Sequence, residues 1–552
     1  MTVFFQLLIF NFVLSFSGRG LLVIIYKFIF RKKFGDELKI FGIPVYLFYS
    51  IIFLFFLGNI TFLVNFFTKI FSSNLFFLIS ILFLANIFNK VKIPLTYFIY
   101  HVFSIFFISI SSYSVGLSYD AGLYHLNTQG WMKFEKLVFG LSNLHVRYGY
   151  SSLYDFIGVN FNQTENFIYL HYLNLTFLIF LFVLILYMFL NTDSNYYKAV
   201  SIFVLIFGIL DNFGFGGGKN GFFEIEGITK YDTSFAVILF VTNLFIGKII
   251  NQKSYELIEI HFLIFLILFL VQMRPTGLLP ALFFLIIILI IDKTKFFKII
   301  TSRVTIFFLF LSTFWLLKNL IVSGCLIFPI EALCFENLRW YEANYATNES
   351  RSIRDSLRAF NIQNNLSINL NYWFEKNEYN RTSFLNFILS FLIIYIFKKL
   401  LFKQKKISIY MTYFYFYSLS LILFWFFTAP DFRFGIGILL TSIISLSLST
   451  SEIRSTINSK NLIFFFLPLF FLCVASVPRL DNYRLFLGDP FKQISVQDVN
   501  VINYIERVDS YGVLTENGSE QCWQNIECTP SYSPKVNKGN LFNYVIFEQR
   551  KN

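Results

Sequence analysis

The densest run of side chains able to do chemistry lies between residues 118 and 149. Ser118-Tyr119-Asp120-Ala121-Gly122-Leu123-Tyr124-His125 is followed by Trp131, Glu135 and Lys136, then by Asn143-Leu144-His145-Val146-Arg147-Tyr148-Gly149. Three of the five histidines fall within residues 112–171. Asp120 stands where an apolar run gives way to polar sequence. A carboxylate there is partly desolvated and held by the end of a rigid helix, which is the setting of a general base. The same residue can instead cap the following segment by accepting backbone N–H bonds. His145 and Arg147 alternate with apolar Leu144 and Val146, so both could face one anionic group from a strand or an irregular segment. His125 and His145 can equally be hydrogen-bonded structural histidines, and Glu135 with Lys136 a solvated face.

Three further cations stand at the edges of apolar runs: Arg274 in Met273-Arg274-Pro275-Thr276-Gly277, Lys318 in Leu317-Lys318-Asn319, and Arg433 in Pro430-Asp431-Phe432-Arg433-Phe434. Each can snorkel to lipid phosphates. Converging, they could hold a phosphate or diphosphate group, the arginines in bidentate fashion. The loop Gly214-Phe215-Gly216-Gly217-Gly218-Lys219-Asn220-Gly221 is not a Walker loop, because its spacing differs and no Ser or Thr follows Lys219. It reads as a mobile loop, with closure over a substrate as the alternative.

The elements that must position these groups are membrane helices. Of 552 residues, 56% are hydrophobic and 14% charged, too few charges to cover a soluble protein of this size. Runs approaching the roughly 20 apolar residues that cross a bilayer occur at 3–30, 43–66, 75–89, 94–111, 167–190, 199–212, 233–250, 257–273, 275–291, 304–321, 384–397, 407–428, 433–450 and 461–478. The expected fold is therefore all-α and polytopic, with about 12–14 transmembrane helices. Lysine and arginine gather between alternate runs, as in Arg31-Lys32-Lys33, Lys293 to Arg303 and Lys398 to Lys406. By the positive-inside rule those loops are cytoplasmic, which accounts for most of the formal charge of +13 and leaves no nucleic-acid surface to explain. The first run reads as a retained anchor with its N-terminus outside.

The alternation places residues 112–166, 213–232, 322–383, 429–432 and the tail 479–552 on the outer side. The domain reading is a membrane domain over 1–478 followed by an extracytoplasmic C-terminal region over 479–552. That tail is more polar and carries alternating stretches such as Val499–Ile505 and Tyr544–Phe547. It reads as a small α/β appendage. Four of the five cysteines fall in outer segments as two close pairs, Cys325 with Cys334 and Cys522 with Cys528. Three pairings are open to four cysteines, and local closure is the economical one in an oxidising compartment. Neither pair has the spacing or the histidine neighbour of a zinc site. Cys473, in the last apolar run, reads as an inert residue.

Together these segments resemble the GT-C superfamily of integral-membrane glycosyltransferases, closest to a bacterial multi-pass branch. The resemblance rests on Asp120 to His125 with Trp131, Gly140 to Gly149, Arg274-Pro275-Thr276-Gly277, Lys318 to Pro329, Pro430 to Phe434, and the Cys522-Trp523 to Cys528-Thr529-Pro530 tail. It implies a GT-C-like fold in the bacterial inner (cytoplasmic) membrane, with active site and C-terminus facing the periplasm. It implies Asp120 as catalytic base and Arg433, Arg274, Lys318 and Arg147, with His145 and His125, around a donor phosphate. Many members carry two adjacent acids in that loop, whereas Tyr119 and Ala121 flank a single Asp here. No metal ligand is therefore assigned, and a divalent Mg or Mn ion stays an open option. The implied partners are a polyprenyl-linked sugar donor, a glycan or lipid acceptor and membrane lipid, with no nucleic acid. The implied reaction is inverting transfer to a cell-surface acceptor. A surface-polysaccharide polymerase or ligase using polyprenyl-diphosphate oligosaccharides would share the outer mouth, and Arg351, Arg354 and Arg358 would suit its larger substrate; a lipid-linked sugar flippase is a second alternative, against which nearly charge-free spans and the lack of paired halves count. A non-catalytic assembly protein is a further alternative.

Overall fold

The computed structural model describes residues 1–28, 31, 34–88, 93–118, 120–162, 166–213, 228–342, 344–356, 378–429, 431–454, 468, 480–494, 496, 504–505, 514–516, 528–529 and 536–549. Among the described residues the structure is mostly helical (74%). Four helices come first: α1 (Thr2–Phe28), α2 (Tyr49–Asn65), α3 (Ser72–Ala85) and α4 (Leu95–Ser109). Two short ones follow, α5 (Leu126–Phe134) and α6 (Leu153–Gly158). The central group is α7 (Ile168–Leu190), α8 (Asn195–Phe213), α9 (Asp232–Gln252), α10 (Leu257–Met273), α11 (Leu278–Ile291), α12 (Lys293–Ile300) and α13 (Arg303–Ser323). Then come α14 (Tyr345–Ser356), α15 (Glu378–Leu401), α16 (Ile409–Thr428), α17 (Phe432–Leu448) and α18 (Leu480–Gly488).

Among the described residues, seven helices are long and apolar enough to cross a membrane: α1, α2 with its preceding turn, α4 with its following turn, α7, α9, α13 and α16. Shorter apolar helices lie at Asn195–Leu210, Leu257–Met273, Pro275–Ile291 and Phe432–Leu448. This is the pattern of a multi-pass membrane protein. The run at 461–478, and Cys473 within it, lies outside the described residues apart from position 468. Burial separates the layers. The apolar stretch of α9 is wholly buried and that of α7 nearly so, whereas α13 and α16 are one-third buried and leave broad apolar faces outward. Such faces suit hydrocarbon, which is as apolar as they are.

Close backbone approach holds the centre together. A Cβ at Gly437 on α17 would lie 2.9 Å from the Ala236 Cα on α9. Small residues at such crossings let van der Waals packing and interhelical hydrogen bonds hold helices together in lipid. Asn243 on α9 donates to Thr441 on α17 (2.8 Å) and accepts from the Tyr417 hydroxyl (3.0 Å). On α1, a Cβ at Gly18 or Gly20 would fall within about 2 Å of the Tyr49 or Leu82 carbonyl. Between those glycines, Arg19 is fully buried and donates from Nε and Nη2 to the two oxygens of Asp36, each at 2.8 Å. Its Nη1 donates to Asn86 (2.8 Å), and the Tyr49 hydroxyl donates to Asp36 (2.5 Å). The spans are therefore not as free of charge as their composition suggests. Arg19, Lys248 and Lys318 all lie inside helices of spanning length, and packing buries each against a polar group.

The expected outer loop at 112–166 is built of short helical segments rather than an open loop. Its ends are tied down: Leu117 bridges Ile228, and the Ile228 N–H donates to the Gly116 carbonyl (3.1 Å). The tail contributes α18, short strands at Tyr504–Ile505, Leu514–Glu516 and Cys528–Thr529, and a hairpin of Val536–Leu541 against Tyr544–Gln549. The alternation at Tyr544–Phe547 is indeed a strand. Its inward face, Phe547, is fully buried and meets the edge of Trp131 at 5.7 Å. The hairpin extends onto the helical body, where the Phe139 N–H donates to the Val545 carbonyl (3.0 Å), the Phe139 carbonyl accepts the Phe547 N–H (2.9 Å), and Asn143 Nδ2 donates to both the Phe547 (2.8 Å) and Trp340 (3.0 Å) carbonyls. Gly140 must be glycine here: its φ is +65°, and a Cβ would lie 2.3 Å from the Phe547 carbonyl oxygen. Asn143→Ala is expected to cost about 1–3 kcal/mol, because two carbonyls lose a donor at a buried junction. A thermal melt of the detergent-solubilised chain reads this as a lower midpoint, and an unchanged midpoint would refute the docking.

Candidate functional site

Asp120 opens a π-helical turn, Ala121–His125, that runs straight into α5. The wider turn leaves carbonyls without their usual helical donors, and Asn127 supplies them, donating from Nδ2 to Gly122 (2.9 Å) and Leu123 (3.1 Å). The Asp120 carboxylate caps nothing. Ser118 Oγ accepts the Ala121 N–H instead (3.1 Å) and donates to the Ile228 carbonyl (3.1 Å). This leaves the carboxylate to the two guanidiniums that flank it.

Arg147 Nη1 lies 3.5 Å from one Asp120 oxygen and Arg433 Nη1 lies 3.7 Å from the other. Each arginine has a second carboxylate on its far side: Glu349 3.6 Å from Arg147 Nε, and Asp431 3.5 Å from Arg433 Nε. The result is an alternating row, Glu349–Arg147–Asp120–Arg433–Asp431. Four separate segments build it. Arg147 sits on the 3-10 turn Val146–Tyr150, not on a strand, and Glu349 sits on α14. Asp431 is the N-cap of α17, accepting the Arg433 N–H at 3.0 Å, so one turn fixes both residues. Burial pushes the Asp431 carboxyl above its ordinary value, and Arg433 opposes that shift. Glu349 is anchored by the Tyr150 hydroxyl (2.9 Å), whose ring packs on Phe328.

A second ion pair adjoins the row. Arg274, just after α10, pairs with Asp232 at the start of α9 and lies over the rings of Tyr231 (4.8 Å) and Phe434 (5.0 Å). Phe434 also receives Arg433 (4.6 Å), so one ring joins the two pairs. Beneath lies a third set: His125 Nδ1 meets Asp155 at 3.0 Å, both buried, with Asp155 held in the capping box of α6 by the Ser152 N–H. The His125 ring stands edge-on to Tyr231 and close to Tyr124.

The residues expected at a site thus divide. Asp120, Arg147 and Arg433 come together, and Arg274 joins through Phe434. Lys318 takes a different place: it is fully buried, donates to the Ser151 carbonyl (2.6 Å) and hydroxyl (3.2 Å), and lies 3.6 Å above Trp315. His145 turns its ring to Tyr148 and has no hydrogen-bond partner for Nδ1 among the described residues. Burial, then the charge of Arg147, holds the His145 imidazole down at about 4. Its folded value lies below the ordinary value of about 6.5, so the stability it confers is complete above that pH and is lost as pH falls toward 4. His145→Phe is expected to flatten the acid limb of a melting-temperature profile between those limits. An unchanged limb would place the titration elsewhere.

Cys325 and Cys334 form a disulfide. The Cys522–Cys528 pairing involves Cys522, which lies outside the described residues, as do the glycine-rich stretch 214–227 and Arg358. Arg351 is exposed on α14. Asp155, Asp232, Glu349 and Asp431 complete the charge pattern and were not singled out from sequence. Ser152-Leu153-Tyr154-Asp155 does carry the capping-box signature, and Asp431 stands just ahead of an apolar run. Glu349 has no local signal. Among the described residues, no group of His, Cys, Asp and Glu is arranged to hold a metal ion.

Fold and site together define a multi-pass helical protein with an arginine–carboxylate row at one end of its central helices. Residues 1–440 match the family described as Domain of unknown function (DUF8201). The chain belongs to that family. Neither a curated protein nor a solved structure matches it.

Proposed function

We propose that this protein is a membrane glycosyltransferase that moves a sugar from a polyprenyl-phosphate donor to a glycan or lipid acceptor on the extracytoplasmic face. The observation that carries the reading is Asp120 set between Arg147 and Arg433, at the end of α9 remote from its lysine-bearing end. Both contacts exceed hydrogen-bond length and all three side chains keep solvent access, so an incoming anion can compete for the guanidiniums. The donor phosphate would draw both arginines and release Asp120. The acceptor oxygen then attacks the anomeric carbon from the opposite face and its proton passes to Asp120. The bond from anomeric carbon to phosphate oxygen breaks with its electron pair going to the phosphate, whose developing charge the arginines stabilise. Configuration inverts in this single displacement. Tyr124 and Tyr150 supply aromatic faces beside the row, which suit a sugar ring.

The test offers labelled polyprenyl-linked sugars to membranes carrying wild type, Asp120→Asn or Arg433→Ala. Transfer by wild type and its loss in both variants supports the reading. No transfer with any lipid-linked donor, together with sugar-lipid translocation in proteoliposomes, would replace it with a flippase.

A further inference from the structure

The far end of the central helices carries a feature that the proposed reaction does not use. A cavity of about 490 Å³ lies between the C-terminal ends of α7 and α9, the starts of α8 and α10, and the Lys39–Gly42 turn. Lys248 and Asp232 are sixteen residues apart on α9, which places this cavity roughly 24 Å along the helix from the arginine–carboxylate row.

Lys248 lines the cavity and is more than nine-tenths buried. Its ammonium donates to Ser194 Oγ (3.1 Å) and lies 4.5 Å over the Tyr197 ring, and it has no ion pair among the described residues. Glu259 lies close enough to attract it, but that carboxylate is already used: one oxygen accepts the Phe41 N–H and the other the Glu256 N–H, each at 2.8 Å. An ammonium has three donors, and among the described residues this one makes a single hydrogen bond, which leaves donors for an anionic oxygen in the cavity. Lys39 adds a second cation at the exposed rim. Asp193 and Glu256 also stand at the rim, where they suit a ligand carrying an ammonium beyond its anionic group.

We propose that this cavity is a phosphate-binding site, with Lys248 as its principal ligand, Ser194 and Tyr197 orienting that ammonium, and Lys39 closing the rim. The bound phosphate belongs to a zwitterionic phospholipid headgroup or to a soluble phosphate. Pockets between spanning helices at the membrane edge take lipid headgroups, and the carboxylates that line this one beside the two lysines, Asp193, Glu256 and Glu259, have acceptor capacity available to a headgroup's ammonium. The site is independent of the transfer chemistry at Asp120.

Purified full-length chain in detergent is titrated with phosphatidylethanolamine in mixed micelles and, separately, with inorganic phosphate, following the melting temperature. Native mass spectrometry counts retained phospholipid. Wild type is expected to show saturable protection, with binding roughly tenfold or more weaker in Lys248→Met and less so in Lys39→Gln. Protection by phospholipid alone assigns a headgroup, and protection by inorganic phosphate assigns a soluble ligand. Equal protection of wild type and variants, or none from either probe, overturns the proposal. If Lys248→Met does not fold, the exposed Lys39→Gln and the conservative Ser194→Ala carry the same comparison.

Discussion

Asp120→Asn is expected to lower the turnover number for sugar transfer by about 10²–10⁴-fold, the range for loss of a general base. The Michaelis constant for the lipid-linked donor should stay level or fall. That split follows from the alternating row. In the proposed mechanism Asp120 competes with the donor phosphate for Arg147 and Arg433, and asparagine, being neutral, would compete less. Arg433→Ala should also lower turnover but raise the Michaelis constant, because it would remove a proposed phosphate ligand and the cation between Asp120 and Asp431. Neither change should disturb folding much. These ion pairs are long and partly solvated, and pairs of that kind are worth about 1 kcal/mol or less. The measurement is steady-state transfer against donor concentration, with melting temperatures recorded alongside. Equal turnover by Asp120→Asn and wild type would remove Asp120 as the base. A parallel rise in the Michaelis constant would make it a donor ligand instead.

The second large effect lies away from the site. Arg19→Met or Asp36→Leu is expected to destabilise the chain by about 3–5 kcal/mol, since either removes one partner of a buried bidentate ion pair between α1, α2 and α3. Asp36 would keep the Tyr49 hydroxyl, and Arg19 would keep Asn86, but each would lose its bidentate partner. The paired variant Arg19→Met with Asp36→Leu should recover much of the loss, because no lone charge remains. Thermal unfolding of the three variants in one detergent gives the comparison. A double variant as unstable as the sum of the singles would mean that packing at Gly18 and Gly20, rather than charge, sets the cost.

These two cases also mark what could be read in the amino-acid order. The helices were legible because a bilayer demands length and apolarity, and α7, α9 and α13 satisfy both without help from their neighbours. Asp120, Arg274 and Arg433 were legible because each ends or begins an apolar run, which brings them to similar depth. Their pairing was not, since α14 and its Glu349 reach Arg147 from about two hundred residues away. Arg19 was lost inside its own apolar run, where one charge hardly alters the average. Its partner Asp36 lies seventeen residues on, a spacing with no helical meaning. Lys318 was misread for the opposite reason. It stands at a span edge, where a lysine usually snorkels, but Trp315 and Ser151 close over it.

The docked hairpin has a consequence for when this protein becomes competent. Asn143 and Phe547 are joined across 404 residues, and Arg147 sits four positions beyond Asn143. Contacts so distant form late, after the intervening chain has found its place. The helical body can therefore insert and pack while the segment bearing Arg147 still awaits its last support. Completion of the arginine–carboxylate row is thus expected to be a late event, and a chain whose hairpin is held back should insert with the row unsupported.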